Sequence, residues 1–291
     1  MLAVVKEKAE VGVTLKQLPV PKPKPGELLV KVKAASICGT DISIYDWTPW
    51  AASHIKPPIV IGHEVVGEVL EINGEPGNIK KGDLVSSETH IFCGSCYQCR
   101  INNRHICEHM ELFGIGRDGG FAEYATIPIR TSWKNDRSVP IEWMSTQEPL
   151  GNATHVVTKA NVAGKRVVIF GLGPVGLCAA AVAKAYGASE VIGINRGAYR
   201  QKLGKKMGCD AVYATLPKHL LNQCDVVLEM SGNADVFGES PPGSADCGDA
   251  YCFWDPQTRS DTGCGQIPYQ QRNADRLGVR PENLGDVVSS E

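Results

Sequence analysis

A glycine-rich turn between two apolar segments constrains this chain more than any other part of its sequence. Arg166–Phe170 reads as a buried strand, residues 171–176 have glycine at their first, third and sixth positions, and an apolar run then predicts a helix. Glu190–Ile194 predicts the next strand. This order is the βαβ unit that binds dinucleotides, in which the glycines permit a tight turn and the close approach of a pyrophosphate.

The residue after the second strand bears on which dinucleotide is bound. Asn195 stands where the adenosine ribose is expected, and Arg196 follows it. An acid there would accept a hydrogen bond from the 2′-hydroxyl of NAD, whereas a neutral side chain beside an arginine better suits the 2′-phosphate of NADP. We therefore expect NAD or NADP as cofactor, with measurable use of NADP. The residues assigned to the dinucleotide are Gly171, Gly173, Pro174, Val175, Gly176, Asn195, Arg196 and Arg200.

Four closely spaced cysteines form the next feature, at Cys93, Cys96, Cys99 and Cys107. Four thiolates at this spacing can surround one zinc ion and fix a loop that is too polar to fold on its own core. An iron–sulfur cluster is the alternative. However, the bacterial cluster pattern has a shorter last gap followed by proline, whereas Glu108 follows here. The spacing therefore favours structural zinc.

A second set of metal-ligand side chains lies upstream. Cys38 ends a predicted strand, and His63 with Glu64 interrupts an apolar stretch, which brings together the S, N and O ligands that zinc accepts. A lone His-Glu pair is more often a satisfied strand edge, but with the other motifs it predicts the catalytic centre of a metal-dependent dehydrogenase. Thr40 and Ser43 offer hydroxyls for proton transfer, and helix capping is an equal alternative for Ser43.

Composition narrows the classes of function. The 291 residues are enough for two domains, and a net charge of −2 without a basic stripe argues against nucleic-acid binding. No apolar run approaches the ~18 residues of a membrane span, and a charge as early as Lys6 argues against a secretory signal. Eleven cysteines without an export signal suit a reducing compartment. We expect a cytoplasmic protein that acts on a small molecule, not on nucleic acid or a membrane.

Together these motifs resemble those of the zinc-dependent medium-chain alcohol dehydrogenases, over residues 1 to about 233. The segments that carry the resemblance are Ile37-Cys-Gly-Thr-Asp41, Ile55-Lys-Pro-Pro58 leading into Gly62-His-Glu64, Glu88-Thr-His90, the four cysteines and Gln147-Glu-Pro-Leu-Gly-Asn152. The resemblance is strongest to the threonine-oxidising members. It implies an α/β fold: a GroES-like β-rich catalytic domain over residues 1–150 and an incomplete Rossmann domain, a doubly wound parallel sheet, over residues 151–234.

The resemblance also implies roles for individual residues. Cys38, His63 and Glu64 would hold a catalytic zinc with Glu148 close by, and the four cysteines would hold a structural zinc. Thr40 would hydrogen-bond the substrate hydroxyl, and His90 would help to recognise an amino acid.

The function that the resemblance implies is hydride transfer from a secondary alcohol to NAD or NADP. L-Threonine, giving 2-amino-3-oxobutanoate, is the first expectation for the substrate, and a polyol such as sorbitol or 2,3-butanediol is the alternative. The family also implies a homo-oligomer. Two positions depart from its pattern: Ser43 replaces the usual histidine, and Asn195 replaces the usual acid.

The tail, residues 235–291, does not match the family. It contains only seven Ile, Leu or Val residues among many Pro, Gly, Asp and Ser, a composition that predicts disorder. Our hypothesis is a frameshift near Phe237. A divergent C-terminus is the alternative, and an extra metal site of Cys247, Cys252 and Cys264 comes third. On each of these explanations the tail lacks part of the nucleotide sheet and, by the resemblance, part of the oligomerising region. The second functional hypothesis is therefore a non-catalytic remnant that is stabilised by zinc.

Overall fold

A computed structural model of the protein describes residues 1–220 and 223–232, together with the backbone of two short strands at 249–252 and 265–267. The chain divides into two compact units, Met1–Pro149 and Leu150–Glu291. None of the helices in the described ranges has the length and apolar character needed to cross a lipid bilayer.

The first unit is rich in strands. Its elements are β1 (Leu2–Lys6), β2 (Thr14–Gln17), β3 (Glu27–Ser36), α1 (Gly39–Asp46), α2 (Pro49–His54), β4 (Ile59–Val60), β5 (Glu64–Asn73), β6 (Leu84–Ser87), β7 (His90–Ile91), α3 (Tyr97–Arg100), β8 (Glu111–Leu112), β9 (Tyr124–Pro128), β10 (Ser132–Lys134) and α4 (Ile141–Met144). The main sheet has the order β10-β6-β5-β3-β9, β2-β1-β4 form a second sheet, and β7 pairs with β8. Antiparallel pairing of β3 with β5 places Leu28, Val30, Val65 and Val69 in one buried cluster.

The apolar stretch around His63 is two strands with a break between them. β4 ends at Val60 and β5 begins at Glu64, and Gly62 in the break has a φ of 92°, a conformation that favours glycine. A Cβ on Gly62 would lie 2.2 Å from the Phe121 ring. His63 therefore lies just before β5 and not within a continuous strand.

Strand β9 starts at Tyr124 and does not extend back to the pair Gly119-Gly120. The glycines before it instead cross the break at close range. Backbone N–H groups of Gly119 and Gly120 donate to Val60 and Gly62, and a Cβ on Gly119 would lie 2.2 Å from the Gly62 oxygen. These glycines therefore allow close packing of the backbone and are not part of the β9 strand.

The second unit contains the predicted parallel sheet. Its elements are α5 (Gln147–Ala160), which begins three residues before the unit boundary, β11 (Arg166–Phe170), α6 (Pro174–Ala185), β12 (Glu190–Ile194), α7 (Ala198–Lys206), β13 (Ala211–Tyr213), β14 (Val226–Glu229), β15 (Asp249–Cys252) and β16 (Gly265–Ile267). The strand order is β13-β12-β11-β14-β15-β16, and the chain reverses direction across the sheet between β11 and β14. A parallel sheet with such a reversal is a doubly wound fold, so the predicted fold class is confirmed. Ligands bind at the reversal in folds of this kind.

Seven residues of the tail form strands, although its composition predicts disorder. β15 runs parallel to β14, from Val226 opposite Asp249 to Glu229 opposite Cys252, and β16 is antiparallel to β15. The exposed edge of a strand offers backbone N–H and C=O groups whatever side chains its neighbour carries, so composition is a poor guide there. The other tail residues, Cys247 and Cys264 among them, lie outside the described residues.

Candidate metal and dinucleotide sites

The four cysteines converge as the spacing predicts for one metal ion. Their sulfur atoms all lie within 4.8 Å of one another, with 4.0 Å between Cys93 and Cys99 and 3.8 Å between Cys96 and Cys107. Four sulfurs held tetrahedrally at about 2.3 Å from zinc would be about 3.8 Å apart. The cluster therefore fits a structural zinc ion.

Backbone donors around the cysteine cluster favour thiolates. The N–H groups of Ser95 and Cys96 donate to the Cys93 sulfur at 3.4 Å, and they lower the pKa of Cys93 to about 5. Burial raises the pKa of Cys99 to about 12, which opposes a bare negative charge on its sulfur. Because a divalent cation would offset that cost, this donor set suits zinc.

The second cluster lies where β3, β5 and α1 meet. Glu64 pairs with Ser36 across the β3–β5 ladder, and Cys38 follows two residues later as the N-cap of α1. Donor atoms of Cys38, His63 and Glu64 lie within 4.8 Å of one another, and the two latter residues are at most 5% exposed. Three ligands of this kind leave a fourth position for substrate, which is the arrangement of catalytic zinc.

Burial controls the protonation of these three ligands. It raises the pKa of Cys38 to about 12 and that of Glu64 to about 7, and it lowers the pKa of His63 to about 4. The imidazole is therefore neutral and available to a metal at physiological pH. The two acid groups resist ionisation until a cation compensates their charge.

Asp41 is a further residue of this site, and no metal-ligand motif of the sequence identifies it. One of its carboxylate oxygens accepts the Cys38 backbone N–H at 2.9 Å, and the other lies 3.7 Å from His63 Nδ1. Neither of the two atoms in the longer contact has a hydrogen-bond partner in the described structure, and both residues are at most 4% exposed. An acid three positions after a ligand that caps a helix was the available signal.

A third group lies beside the second. Donor atoms of Glu88, His90 and Glu148 come within 4.8 Å of one another, and His90 Nδ1 lies 2.6 Å from Glu88 Oε1. Glu148 is among the charges that raise the pKa of Cys38, after burial, and His90 contributes to the low pKa of His63. The two groups therefore lie close enough to influence each other's charge, and Glu88 is a further residue of this region for which the sequence motifs indicate no role.

The two hydroxyl residues differ in their placement. The Thr40 side chain and backbone N–H lie near the Cys38 thiol and oppose the rise of its pKa. Ser43 is half-buried in the middle of α1, whose N-cap is Cys38, so the structure removes the capping interpretation for Ser43.

The glycine-rich turn is built around close backbone contacts. Gly171 has a φ of 88°, and a Cβ there would lie 2.6 Å from the Ser231 nitrogen after β14. A Cβ on Gly176 would lie 1.9 Å from the Gly171 oxygen. Helix α6 then starts at Pro174 with Gly173 as an N-cap that has no side-chain hydrogen bond. This is the cradle expected for a pyrophosphate at a helix N-terminus.

Of the other residues assigned to the dinucleotide, Val175 packs on the apolar core of the second unit. Asn195 is half-buried directly after β12, and Arg196 and Arg200 are exposed.

Comparison with known proteins matches both units. The model of the alcohol dehydrogenase GroES-like domain matches residues 24–140, and that of the zinc-binding dehydrogenases matches residues 174–243. L-Threonine 3-dehydrogenase of Pyrococcus horikoshii is 48% identical over 241 residues, which are 80% of this chain and 69% of that protein. The enzyme of the same name from Bacillus licheniformis is 42% identical over 249 residues, 82% and 72% of the two chains.

Solved structures show the same architecture. A zinc-binding dehydrogenase of Sinorhizobium meliloti bound to NADP has a TM-score of 0.79 at 27% identity and covers 96% of this chain and 88% of its own. An alcohol dehydrogenase of Thermotoga maritima has a TM-score of 0.73 at 26% identity, with 82% and 73% covered.

Proposed function

The chain belongs to the zinc-binding dehydrogenases with a GroES-like domain, and from that membership we propose that it oxidises L-threonine to 2-amino-3-oxobutanoate with a nicotinamide dinucleotide. Relatives that are 42% to 49% identical carry the name L-threonine 3-dehydrogenase. The observation that carries the proposal is that the cluster of Cys38, His63 and Glu64 interacts electrostatically with a further group that contains two more carboxylates.

The third group, of Glu88, His90 and Glu148, favours an amino acid over a polyol as the substrate. Glu88 and Glu148 are carboxylates beside the metal-ligand set, and His90 pairs with the first of them. An α-ammonium group would gain charge-assisted hydrogen bonds from such acids, whereas a diol offers only neutral hydroxyls. The alternative substrates, sorbitol and 2,3-butanediol, offer these carboxylates no cationic group.

The chain's own residues would bind the substrate and move its proton. A zinc ion held by Cys38, His63 and Glu64 would lower the pKa of the substrate hydroxyl, and the nicotinamide ring would accept the hydride. The Thr40 hydroxyl, which lies near the Cys38 thiol, would accept the proton of the substrate hydroxyl while it donates its own proton onward. Ser43, one turn further along α1, can pass that proton on but cannot retain it near neutral pH, so transfer to solvent should be slower than through a histidine.

The test compares substrates with the full chain. Formation of reduced cofactor is followed with L-threonine, 2,3-butanediol and sorbitol, and we expect the highest kcat/KM for L-threonine. Cys38→Ser should abolish turnover, whereas Cys209→Ser, at a buried free thiol in the second unit, should retain it. Two zinc ions per chain without turnover on any substrate would instead support the non-catalytic remnant.

Assembly and compartment are also part of the proposal. We propose a homo-oligomer, as the family implies, in a reducing cytoplasm where the zinc-ligand thiols stay reduced. Light scattering after gel filtration measures the assembly, and a monomer at micromolar concentration would contradict that part.

A further inference from the structure

The segment after β12 carries only positive charges. Residues 195–209 contain five cationic side chains and no acid: Arg196, Arg200, Lys202, Lys205 and Lys206. The acids on either side of this segment are already paired, Glu190 with Arg166 and Asp210 with Lys184. Neither arginine of the segment has an ion pair with any residue that the structure describes. A cationic segment without internal compensation favours an anionic ligand.

Asn195 connects this segment to the glycine-rich turn. Its side-chain oxygen accepts the Leu172 backbone N–H at 3.2 Å, and its side-chain nitrogen donates to the Gly197 oxygen at 3.4 Å. The side chain therefore lies against the turn, at the position from which an acid would contact the adenosine ribose. A carboxylate here would repel a phosphate on that ribose, whereas the carboxamide does not.

One arginine follows Asn195 in the chain, and the other reaches the glycine-rich turn. Arg196 is exposed beside Asn195, and Arg200 Nη1 lies 3.3 Å from where a Cβ on Gly173 would be. One guanidinium thus extends over the turn, and the other stands at the end of β12. Guanidinium groups bind phosphate oxygens in bidentate pairs, and they bind a phosphate dianion more strongly than a neutral hydroxyl.

We propose that Asn195, Arg196 and Arg200 form a subsite for the ribose 2′-phosphate, so that this enzyme binds NADP in preference to NAD. The inference deepens the proposed function, because it needs a nicotinamide dinucleotide but not any particular alcohol.

Calorimetric titration of the full chain tests the subsite without turnover. NADP⁺ should bind about tenfold more tightly than NAD⁺, the effect of one charge-assisted contact. The affinity for adenosine 2′,5′-bisphosphate should exceed that for adenosine 5′-monophosphate by a similar factor. A higher salt concentration should reduce both differences in affinity. This comparison uses the unaltered chain and so does not depend on the folding of a variant.

Two variants and one control assign the effect to residues. Arg196→Gln should weaken NADP⁺ binding about tenfold and NAD⁺ binding much less. Asn195→Asp should reverse the preference. The control, Lys206→Gln, also removes one positive charge, but from the far end of α7. This variant should keep the preference for NADP⁺.

The failures of the two proposals can be told apart. NAD⁺ binding as tight as NADP⁺ binding, or tighter, would overturn the subsite while the proposed function stands. Binding of neither nucleotide would overturn both.

Discussion

Asp41 shows how one side chain can serve the helix and the metal ligands together. At the third position of α1 it accepts the backbone N–H of Cys38, and its other oxygen faces His63 Nδ1 at 3.7 Å. Burial raises the pKa of this carboxyl to about 6, although the Cys38 and Gly62 backbone donors oppose the shift. A carboxylate behind a ligating histidine fixes the ring and increases its basicity.

We predict that Asp41→Asn weakens the catalytic metal site. The amide keeps the shape and can still accept the Cys38 N–H, but it removes the charge beside His63. Zinc affinity at this site should fall about 10- to 100-fold, as measured by competition with a chromophoric chelator. Asp46→Asn, at the exposed end of the same helix, is the matched control. Equal zinc affinity in Asp41→Asn and the unaltered protein would remove the role assigned to Asp41.

The site was predictable from sequence to the extent that ligand chemistry is visible in residue types. Cys38, His63 and Glu64 could be selected because thiol, imidazole and carboxylate are unusual together. The capping position of Asp41 is visible in the sequence, but its role beside the ligands, like that of Glu88, becomes clear only when the distance to an imidazole is known. The break at Gly62 was likewise hidden, because apolar residues continue on both sides of it.

The cysteine lobe, residues 92–110, has only a small apolar core. Its buried cluster consists of Cys96, Cys99 and Cys107, with Phe92, Cys93 and Met110 packed against them. The loop is otherwise held by short elements, α3 and the β7–β8 pair. Metal binding supplies the folding energy of such small modules, about 10–16 kcal/mol in isolated zinc peptides.

Cys99→Ser should remove this contribution. We expect one zinc ion per chain to be lost, by elemental analysis, and cleavage by a protease between residues 93 and 107 to become faster. Cys209→Ser, at a buried thiol outside the lobe, should change neither measurement. Unchanged zinc content in Cys99→Ser would mean that the four sulfurs do not share a metal ion.

In the second unit, Asp210 links α6 to β12. It accepts the Val191 backbone N–H at 2.7 Å and pairs with Lys184 at 3.0 Å. The backbone donor, and then the lysine, hold the pKa of Asp210 below its ordinary value of 3.8. Its contribution to stability is therefore fully present above that pH and is lost as the pH falls through the lowered pKa.

Asp210→Asn should lower the free energy of unfolding by about 0.5–1 kcal/mol at pH 7, a small figure because both partners are more than a third exposed. Urea titrations should show the deficit narrowing as the pH falls below 3.8. A double-mutant cycle with Lys184→Met separates the ion pair from the Val191 hydrogen bond. A deficit that stays constant down to pH 3 would exclude ionisation of Asp210 as its cause.

At the scale of the whole molecule, each unit holds one part of the chemistry. Both metal clusters lie in residues 1–149, and the glycine-rich turn lies in the second unit. The two clusters differ in ligands: four thiolates in one, and a mixed set with an open position in the other. Four soft ligands retain zinc more strongly than three mixed ones.

Chelation should therefore remove zinc in two stages. A mild chelator is expected to take the first equivalent from the Cys38 cluster, which abolishes turnover with little change in Tm. A stronger chelator should take the second equivalent and lower Tm. Calorimetry and elemental analysis on the same samples measure both stages. A fall in Tm with the first equivalent would reverse the assigned order.

The parallel pairing of β15 with β14 has a consequence for how such a chain tolerates change. The pairing depends on peptide groups, which every residue but proline supplies in full, and so places little demand on the identity of the incoming segment. A strand can therefore be added at the edge of the sheet by a segment whose residues were never selected to pair there. A reading-frame error beyond β14 would then disrupt the loops and side chains that surround the sheet before it disrupts the strand pairing of the sheet.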